Sequence, residues 1–138
     1  MALNGTLKIS GYQFPITVQE CEYEFTQKID ENGKPSRFPH GGIIKFTIHA
    51  PDDSVVLFHE WMFSKAEIKE GTFILPVTVG TDHREKTVTF EYGYCVGLKE
   101  HFSNTDKLQM NMTITVSAAV IKFGIDGNVV FTNNELIV

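Results

Sequence analysis

The sequence predicts a mainly β fold, either a small closed β-barrel or two packed antiparallel sheets, with one α-helix at the side. Three observations support this class. Apolar and polar residues alternate along most of the chain, glycine- and proline-containing turns separate the alternating stretches, and one stretch has helical periodicity. The chain has 138 residues, the usual length of one domain, and can bury a core without disulfides or metal. We therefore expect a single domain over residues 1–138.

Composition argues against several classes of function. Charged residues make up 21% of the chain and the formal net charge is −5, with no basic cluster, which argues against a nucleic-acid partner. The first ten residues lack the basic and apolar regions of a signal peptide, and no apolar run reaches the ~18 residues of a membrane span. We expect a cytosolic protein with no membrane insertion, unless it is exported by a route that needs no N-terminal signal. Cys21 and Cys95 lie within predicted strands and fit a reducing compartment, although a disulfide between them stays open.

The first part of the chain predicts two strands and a bend. Residues 5–9 alternate and end at a Ser-Gly turn, which predicts a short strand. Residues 13–28 predict one long strand, whose apolar residues move from even to odd positions near Gln19 and Glu20. Because side chains alternate strictly between the two faces of a strand, this change of parity predicts a β-bulge or break.

A polar loop from Lys28 to His40 follows, with Asn32-Gly33, Pro35 and Pro39 and no apolar periodicity. A tight hairpin would need only about two to five residues here. A loop of this length is either functional or simply solvated, and the residues leave both interpretations open.

The next strand opens at Gly41-Gly42 and ends at Pro51. Its alternation predicts one buried face, formed by Ile44, Phe46 and Ile48. A helix should then run from about residue 54 to 65. The candidates for its N-terminal caps are Asp52, Asp53 and Ser54.

The predicted helix is apolar around most of its circumference, whereas a helix on a monomer surface normally keeps a broad polar face. Within its central turns the polar residues are His59, Glu60 and Ser64. The helix should therefore be buried on more than one side. It is either an internal helix that plugs a barrel mouth or a helix shared between the domain and a neighbouring subunit.

The rest of the chain alternates as strands over residues 71–79, 86–96 and 110–121, with a polar loop from Glu100 to Lys107 and a hairpin turn at Asp126-Gly127. The apolar face of the second of these strands comprises Val88, Phe90, Tyr92, Tyr94 and Val96. The third strand has an uncharged polar face formed by Asn111, Thr113, Thr115 and Ser117. This face fits a neutral tube wall or a subunit contact, and it also fits an ordinary threonine-rich strand.

The residues contain no motif for catalysis, metal binding or cofactor binding. The five histidines are scattered, and His59-Glu60 does not begin a metalloprotease motif because Phe63 stands where the second histidine is required. There is no phosphate-binding glycine loop and no nucleophile elbow. A solvated strand face without acid/base partners is formed by Glu20, Glu22 and Glu24. We therefore expect no enzyme, no cofactor and no metal.

Several segments occur in an order that is typical of a known family. They are Tyr23-Glu24-Phe25, Asn32-Gly33-Lys34-Pro35-Ser36, Gly41-Gly42-Ile43-Ile44, Leu57-Phe58-His59-Glu60-Trp61-Met62 and the alternating strands after Gly71. On these segments the chain resembles a divergent branch of the Hcp (haemolysin-coregulated protein, or TssD) tube subunits of type VI secretion systems. The resemblance covers most of the chain.

This resemblance implies a small β-barrel protein that assembles into hexameric rings, which stack into a hollow tube. The tube partners in that family are sheath, spike, baseplate and effector proteins, and the subunit leaves the cytoplasm through the secretion system without a signal peptide. The loop then corresponds to the ring-stacking loop, with Asp30, Asn32, Gly33, Lys34, Pro35, Ser36 and Arg37. The helix corresponds to the subunit or lumen side, with Val55, Val56, Phe58, His59, Trp61, Met62 and Phe63.

A second hypothesis is a barrel that binds a small apolar molecule in its mouth, with no role in secretion. In that case Phe58, Trp61 and Phe63 would line the mouth. This hypothesis predicts a monomer with a cavity, whereas the tube hypothesis predicts a ring.

Overall fold

The computed structural model describes residues 4–35, 40–50, 56–104, 109–124 and 126–133. Its elements in chain order are β1 (Gly5–Ile9), β2 (Ile16–Tyr23), β3 (Ile43–His49), α1 (Leu57–Phe63), β4 (Lys69–Val79), β5 (Asp82–Ser103), β6 (Gln109–Phe123) and β7 (Val129–Thr132). The mainly β fold is confirmed. Within these described ranges, no helix has the length and apolarity that crossing a membrane requires.

Six of the strands close into an antiparallel barrel. They follow the order β3-β2-β1-β4-β5-β6, and β3 pairs with the first half of β6, which closes the ring. The second half of β6 pairs with β7, from Val120 opposite Thr132 to Phe123 opposite Val129. This pairing confirms the hairpin predicted around Asp126-Gly127. The closed barrel is the first of the two architectures that the sequence allowed.

The predicted faces of the first strands are confirmed. In β3 the core face holds Ile44, Phe46 and Ile48, each at most 1% exposed. The pairing of β2 with β3 shifts between Val18 and Glu20, where the change of parity predicted a bulge. After this bulge the apolar side chains point inward, so that Cys21, Tyr23 and Phe25 pack against the core.

Two predicted elements are shorter in the structure. The strand expected over residues 13–28 is β2, which ends at Tyr23, and beyond it the chain forms isolated bridges such as Thr26 with His40. Its partner β3 begins only at Ile43, so these residues have no continuous strand to pair with. The helix expected over residues 54–65 is α1, which ends at Phe63 because Ser64 has an extended backbone. The three candidate caps before α1 lie outside the described residues.

Strand β5 differs most from the prediction over residues 86–96. It runs to Ser103, and the polar loop expected from Glu100 begins later because β6 pairs with β5 as far as Ser103 opposite Gln109. The core face of β5 also differs from the prediction. Phe90 is buried as expected, but Tyr92 is 53% exposed, and Cys95, which was not predicted to face the core, is buried. Tyr92 has a φ of +54°, and here the pairing of β5 with β4 shifts between Phe90 opposite Gly71 and Gly93 opposite Lys69, so the faces of the strand exchange. Tyr92 and Val96 therefore do not share the core face predicted for them.

The two ends of the barrel are closed differently. At the helix end, α1 packs against β5, with Leu57 near Gly11 after β1 and His59 bonded to Glu100 in β5. At the loop end, the last residues of β2 and β6 meet the chain that leads into the loop. Here an aromatic cluster forms between Phe25 and Phe123, whose ring centroids are 5.6 Å apart. We use the names helix end and loop end for these two regions.

Candidate functional site

The inner side of α1 completes the core of its own barrel. Phe58 is 1% exposed and Trp61 is fully buried. The Trp61 ring stacks on Phe90 with 6.4 Å between centroids, and its N–H lies 3.2 Å from the carbonyl oxygens of both Glu67 and Gly93. A buried indole N–H normally needs such an acceptor. These two helix residues therefore hold the domain together from within.

The sides of α1 bind the helix to β5. The His59 imidazole Nε2 lies 2.6 Å from the Glu100 carboxylate, at a half-exposed position. The thioether sulfur of Met62 lies 3.7 Å from the thiol of Cys95, which is a favourable soft contact. Both residues thus belong to the contact between helix and barrel.

The outer side of α1 exposes apolar side chains. Phe63 is 81% exposed and Val56 is 45% exposed. Val56 is also the residue before the first helical turn, where it provides no side-chain cap. The predicted helix residue Val55 lies outside the described part of the chain. The outer side therefore offers apolar area that the barrel does not cover.

The three aromatic side chains that the small-molecule hypothesis places in one mouth do not line a common cavity. Phe58 and Trp61 are enclosed by the core, and Phe63 is on the outside. This arrangement removes the observation on which that hypothesis rested.

The predicted stacking loop has internal structure at its tip. Asp30 accepts hydrogen bonds through Oδ1 from the backbone N–H groups of Asn32 and Lys34, at 2.8 and 3.0 Å. The N–H of Asp30 donates to the carbonyl of Lys34, and Gly33 turns the chain with a φ of +81°. Such an aspartate-centred turn is a stable local motif.

The base of the loop is also tied. Thr26 and His40 exchange two backbone hydrogen bonds of 2.9 and 2.6 Å, and Ile29 forms a bridge with Pro35. All described residues from Thr26 to Pro35 are exposed. Ser36 and Arg37 of the predicted stacking set lie outside the described residues. The described part of the loop is thus held by hydrogen bonds at its tip and its base while its residues stay exposed.

The outer face of β2, β3 and β6 carries two adjoining grooves of about 780 and 440 Å³. Both are lined by Glu22, Lys45 and Thr115. The uncharged residues predicted to form a tube wall or subunit contact are half-buried along this face, and the Thr113 hydroxyl lies 3.1 Å from that of Thr47. Both interpretations of this uncharged face stay predictions.

Catalytic chemistry finds little support in the described residues. They contain no group of three His, Cys, Asp or Glu side chains able to hold a metal ion. Cys21 and Cys95 are both free thiols. Burial, with a contribution from Glu22, raises the pKa of the Cys21 thiol to about 11, and burial also raises the pKa of Cys95. Both thiols are therefore protonated and weak nucleophiles near neutral pH.

Comparison with known proteins identifies the family. A family model described as "Hemolysin coregulated protein Hcp (TssD)" matches residues 1–134. The fold is similar to the solved structure of Hcp1 from Flavobacterium johnsoniae, with a TM-score of 0.75 and 26% identity over 95% of this chain and 100% of that chain. No curated protein matches the sequence.

More distant structures share the fold. Hcp1 from the E. coli EAEC 042 pathovar, as a mutant, has a TM-score of 0.70 and 14% identity over 96% of this chain and 98% of that one. The secreted protein Hcp3 from Pseudomonas aeruginosa has a TM-score of 0.61 and 11% identity over 96% and 97%. The match of the family model over nearly the whole length, together with the shared barrel, shows that this chain belongs to the Hcp (TssD) family.

Proposed function

We propose that the chain is a structural subunit of the inner tube of a type VI secretion system and not an enzyme. The observation that carries the proposal is membership of the Hcp (TssD) family over residues 1–134. Two further features support it. Apolar side chains on the outer side of α1 are exposed, and the described part of the loop that follows β2 is held by hydrogen bonds at its tip and base while its residues stay exposed.

In this function the subunits form rings, with six copies as the expected number, and the rings stack into a hollow tube. The sheath, spike, baseplate and effector proteins of the system are the proposed partners. The chain is made in the cytoplasm and leaves through the system itself. The loop from Lys28 to His40 contacts the adjacent ring, and the outer side of α1 contacts a neighbouring copy.

Native mass spectrometry and negative-stain electron microscopy of the purified chain test this function. We expect a closed oligomer with the mass of six copies and ring-shaped particles with a central hole. A monomer at every concentration and salt condition would overturn the proposal.

Secretion needs a separate measurement in the source organism. The chain should be found in the medium of cells with an intact type VI apparatus and should be absent there when the sheath genes are deleted. Equal amounts in the medium of both strains, without cell lysis, would contradict the secretion role.

A further inference from the structure

The outer face of the barrel carries three polar side chains in a row across neighbouring strands. In the pairing of β3 with β6, His49 lies opposite Asn111, and in the pairing of β5 with β6, His101 lies opposite the same asparagine. Residues directly opposite each other on adjacent strands point to the same face of a sheet. That face is the outer one, because the flanking residues Ile48 and Met112 are buried in the core. We call His49, Asn111 and His101 the histidine row.

The strand pairing sets the spacing of the histidine row. The Ala50 N–H donates to the Met110 carbonyl, so these two residues form a hydrogen-bonded pair, and His49 with Asn111 is the non-hydrogen-bonded pair beside it. The backbone groups of Asn111 therefore point toward β5 and bond to His101. Cα atoms are about 4.5 Å apart in the first kind of pair and about 5.5 Å in the second, which places the two histidine Cα atoms about 10 Å apart. Two imidazoles that lean toward Asn111 can share one metal ion over this span, with metal–nitrogen bonds of about 2.0–2.1 Å.

The middle residue of the row has an unused acceptor. The Oδ1 atom of Asn111 is buried, and no group in the described part of the chain donates a hydrogen bond to it. A buried carbonyl oxygen without a donor costs free energy, and such atoms are normally satisfied by a donor, by water or by an ion. This oxygen belongs to the residue between the two histidines. The row therefore offers two imidazole nitrogens and one amide oxygen as possible ligands.

Gln19 orients one of the two imidazoles. It is the extra residue of the β-bulge between Val18 and Glu20 in β2, and bulges often turn a side chain toward a site. Its amide nitrogen lies 2.7 Å from Nε2 and 3.0 Å from Nδ1 of His49, so Gln19 can bond either ring nitrogen and leave the other for a metal. When the ring is metal-bound, rotation of the amide lets its oxygen accept the remaining imidazole N–H. A hydrogen bond of this kind holds a metal-ligating histidine in place.

We propose that the histidine row binds one divalent transition-metal ion, held by a ring nitrogen of His49, a ring nitrogen of His101 and Oδ1 of Asn111, with water in the remaining positions. Imidazole ligands suit Zn²⁺, Cu²⁺ and Ni²⁺, whereas Mg²⁺ and Ca²⁺ prefer oxygen ligands. The nearest charged residues on this face are Glu20 opposite Thr47 and Lys99 opposite Thr113, and their charges offset each other.

All three ligands belong to one chain, so the site does not depend on the proposed assembly. It also differs from the expectation of no metal that the sequence gave. The ligands are on three separate strands and share no local spacing, and they meet only because β6 lies between β3 and β5. No pattern of adjacent residues can show such a row.

Isothermal titration calorimetry of the full chain with Zn²⁺ tests the site. We expect one Zn²⁺ per chain and no binding of Mg²⁺ at the same concentrations. His49→Gln and His101→Gln should each raise the dissociation constant at least about tenfold, because even the loss of an outer partner of a metal ligand costs about 10–100-fold. His83→Gln is the matched control, since His83 is exposed on β5 away from the row, and it should leave the affinity unchanged. All these proteins keep Cys21 and Cys95, so any thiol contribution is the same in each.

Two further measurements distinguish ligation from a structural role. Asn111→Asp keeps the shape of the side chain and places a negative charge beside the ion, so it should lower the dissociation constant at least about tenfold. A loss of folding would not produce this gain. With Cu²⁺ as the probe, electron paramagnetic resonance should show coupling to two imidazole nitrogens in the wild type and to one in His101→Gln. Circular dichroism of each variant checks that the barrel is intact.

The outcomes separate this inference from the proposed function. One Zn²⁺ per chain, weaker binding in both histidine variants and tighter binding in Asn111→Asp support the site. No binding at millimolar Zn²⁺, equal affinity in the histidine variants, or one ion shared by two copies would overturn it. Rings that form without binding Zn²⁺ would leave the proposed function standing, and a monomer that binds one Zn²⁺ through the row would leave the site standing without the ring.

Discussion

The helix end and the loop end of the barrel are built from similar residues and have different exposures. At the helix end, Trp61 and Phe58 are enclosed, and the indole N–H is within hydrogen-bonding distance of two carbonyls. At the loop end, Phe25 and Phe131 are only partly buried beside a groove, and the described loop residues are exposed. Aromatic content alone therefore does not tell whether a region stabilises a fold or awaits a partner. What distinguishes the two ends is whether the chain itself covers the rings.

The largest effect on folding should come from the helix end. Trp61→Ala removes a fully buried ring and should lower the free energy of unfolding by about 3–5 kcal/mol, because the cavity can collapse only in part. Urea denaturation followed by circular dichroism measures this loss. Phe63→Ala is the matched control on the same helix and should change stability by no more than about 0.5 kcal/mol. Similar losses for both variants would contradict the assignment of an inner and an outer side of α1.

The second test compares two glycines at the loop end. Gly42 has a φ of +95°, and a Cβ there would lie 2.7 Å from the Ala118 carbonyl oxygen. Gly42→Ala should cost about 1–2 kcal/mol for the left-handed backbone, and the steric clash should add about 1–3 kcal/mol. Gly33 has a φ of +81° with open space around it, so Gly33→Ala should cost the backbone part alone, about 1–2 kcal/mol.

Thermal or urea unfolding of both glycine variants gives the comparison. Equal stability losses would mean that the entry into β3 relaxes without cost, and that the loop end is less rigid than its hydrogen bond from Ala118 to Gly42 indicates.

Much of the barrel could be predicted from local pattern. The alternation in β3, the parity change in β2 and the turn before β7 each depend on a few adjacent residues, and all three are confirmed. The limits of β5 could not be found in this way. Its polar end is a strand because β6 lies beside it, and its faces exchange at Tyr92, where the pairing with β4 shifts and the residue has a positive φ that its type does not favour.

The candidate site was predictable in outline and not in detail. An apolar circumference indicated that α1 would be buried on more than one side, but it could not separate Phe58 and Trp61, which the barrel encloses, from Phe63, which it exposes. That division depends on which side of α1 packs against the barrel. The groove lined by Phe25, Phe123 and Phe131 was missed altogether, because these residues are distant in sequence. The pairing of β6 with β7 brings Phe131 near Phe123, and Phe25 meets both from the chain that follows β2.

The two cysteines allow a pH test of burial. The folded state raises the pKa of Cys21 from 9.0 to about 11, so it favours the neutral thiol. The corresponding stability is present below the unfolded pKa and is lost as the pH rises through the folded value. The free energy of unfolding of the wild type should therefore fall more steeply between pH 9 and 11 than that of Cys21→Ala. Urea titrations at several pH values measure how steeply the free energy of unfolding falls with pH in each protein. Both proteins keep Cys95, so its contribution is the same in each. Parallel slopes would show that Cys21 is more accessible to water than its position against the core indicates.

The smallest effect on folding, and a large one on assembly, should come from the loop. Deleting residues 32–36 removes the turn centred on Asp30 but leaves the paired hydrogen bonds between Thr26 and His40 at its base. Because residues 32–35 are exposed and shortening a loop changes its closure entropy little, the free energy of unfolding should change by about 0.5 kcal/mol or less. Electron microscopy should then show intact rings with fewer stacks.

Asp30→Ala is the second variant, because it keeps the loop length and removes both side-chain hydrogen bonds. Reduced stacking in this variant as well would show that stacking depends on the folded turn of the loop and not only on the length of the loop. Stacking at the wild-type level in both variants would remove the loop from the ring-to-ring contact.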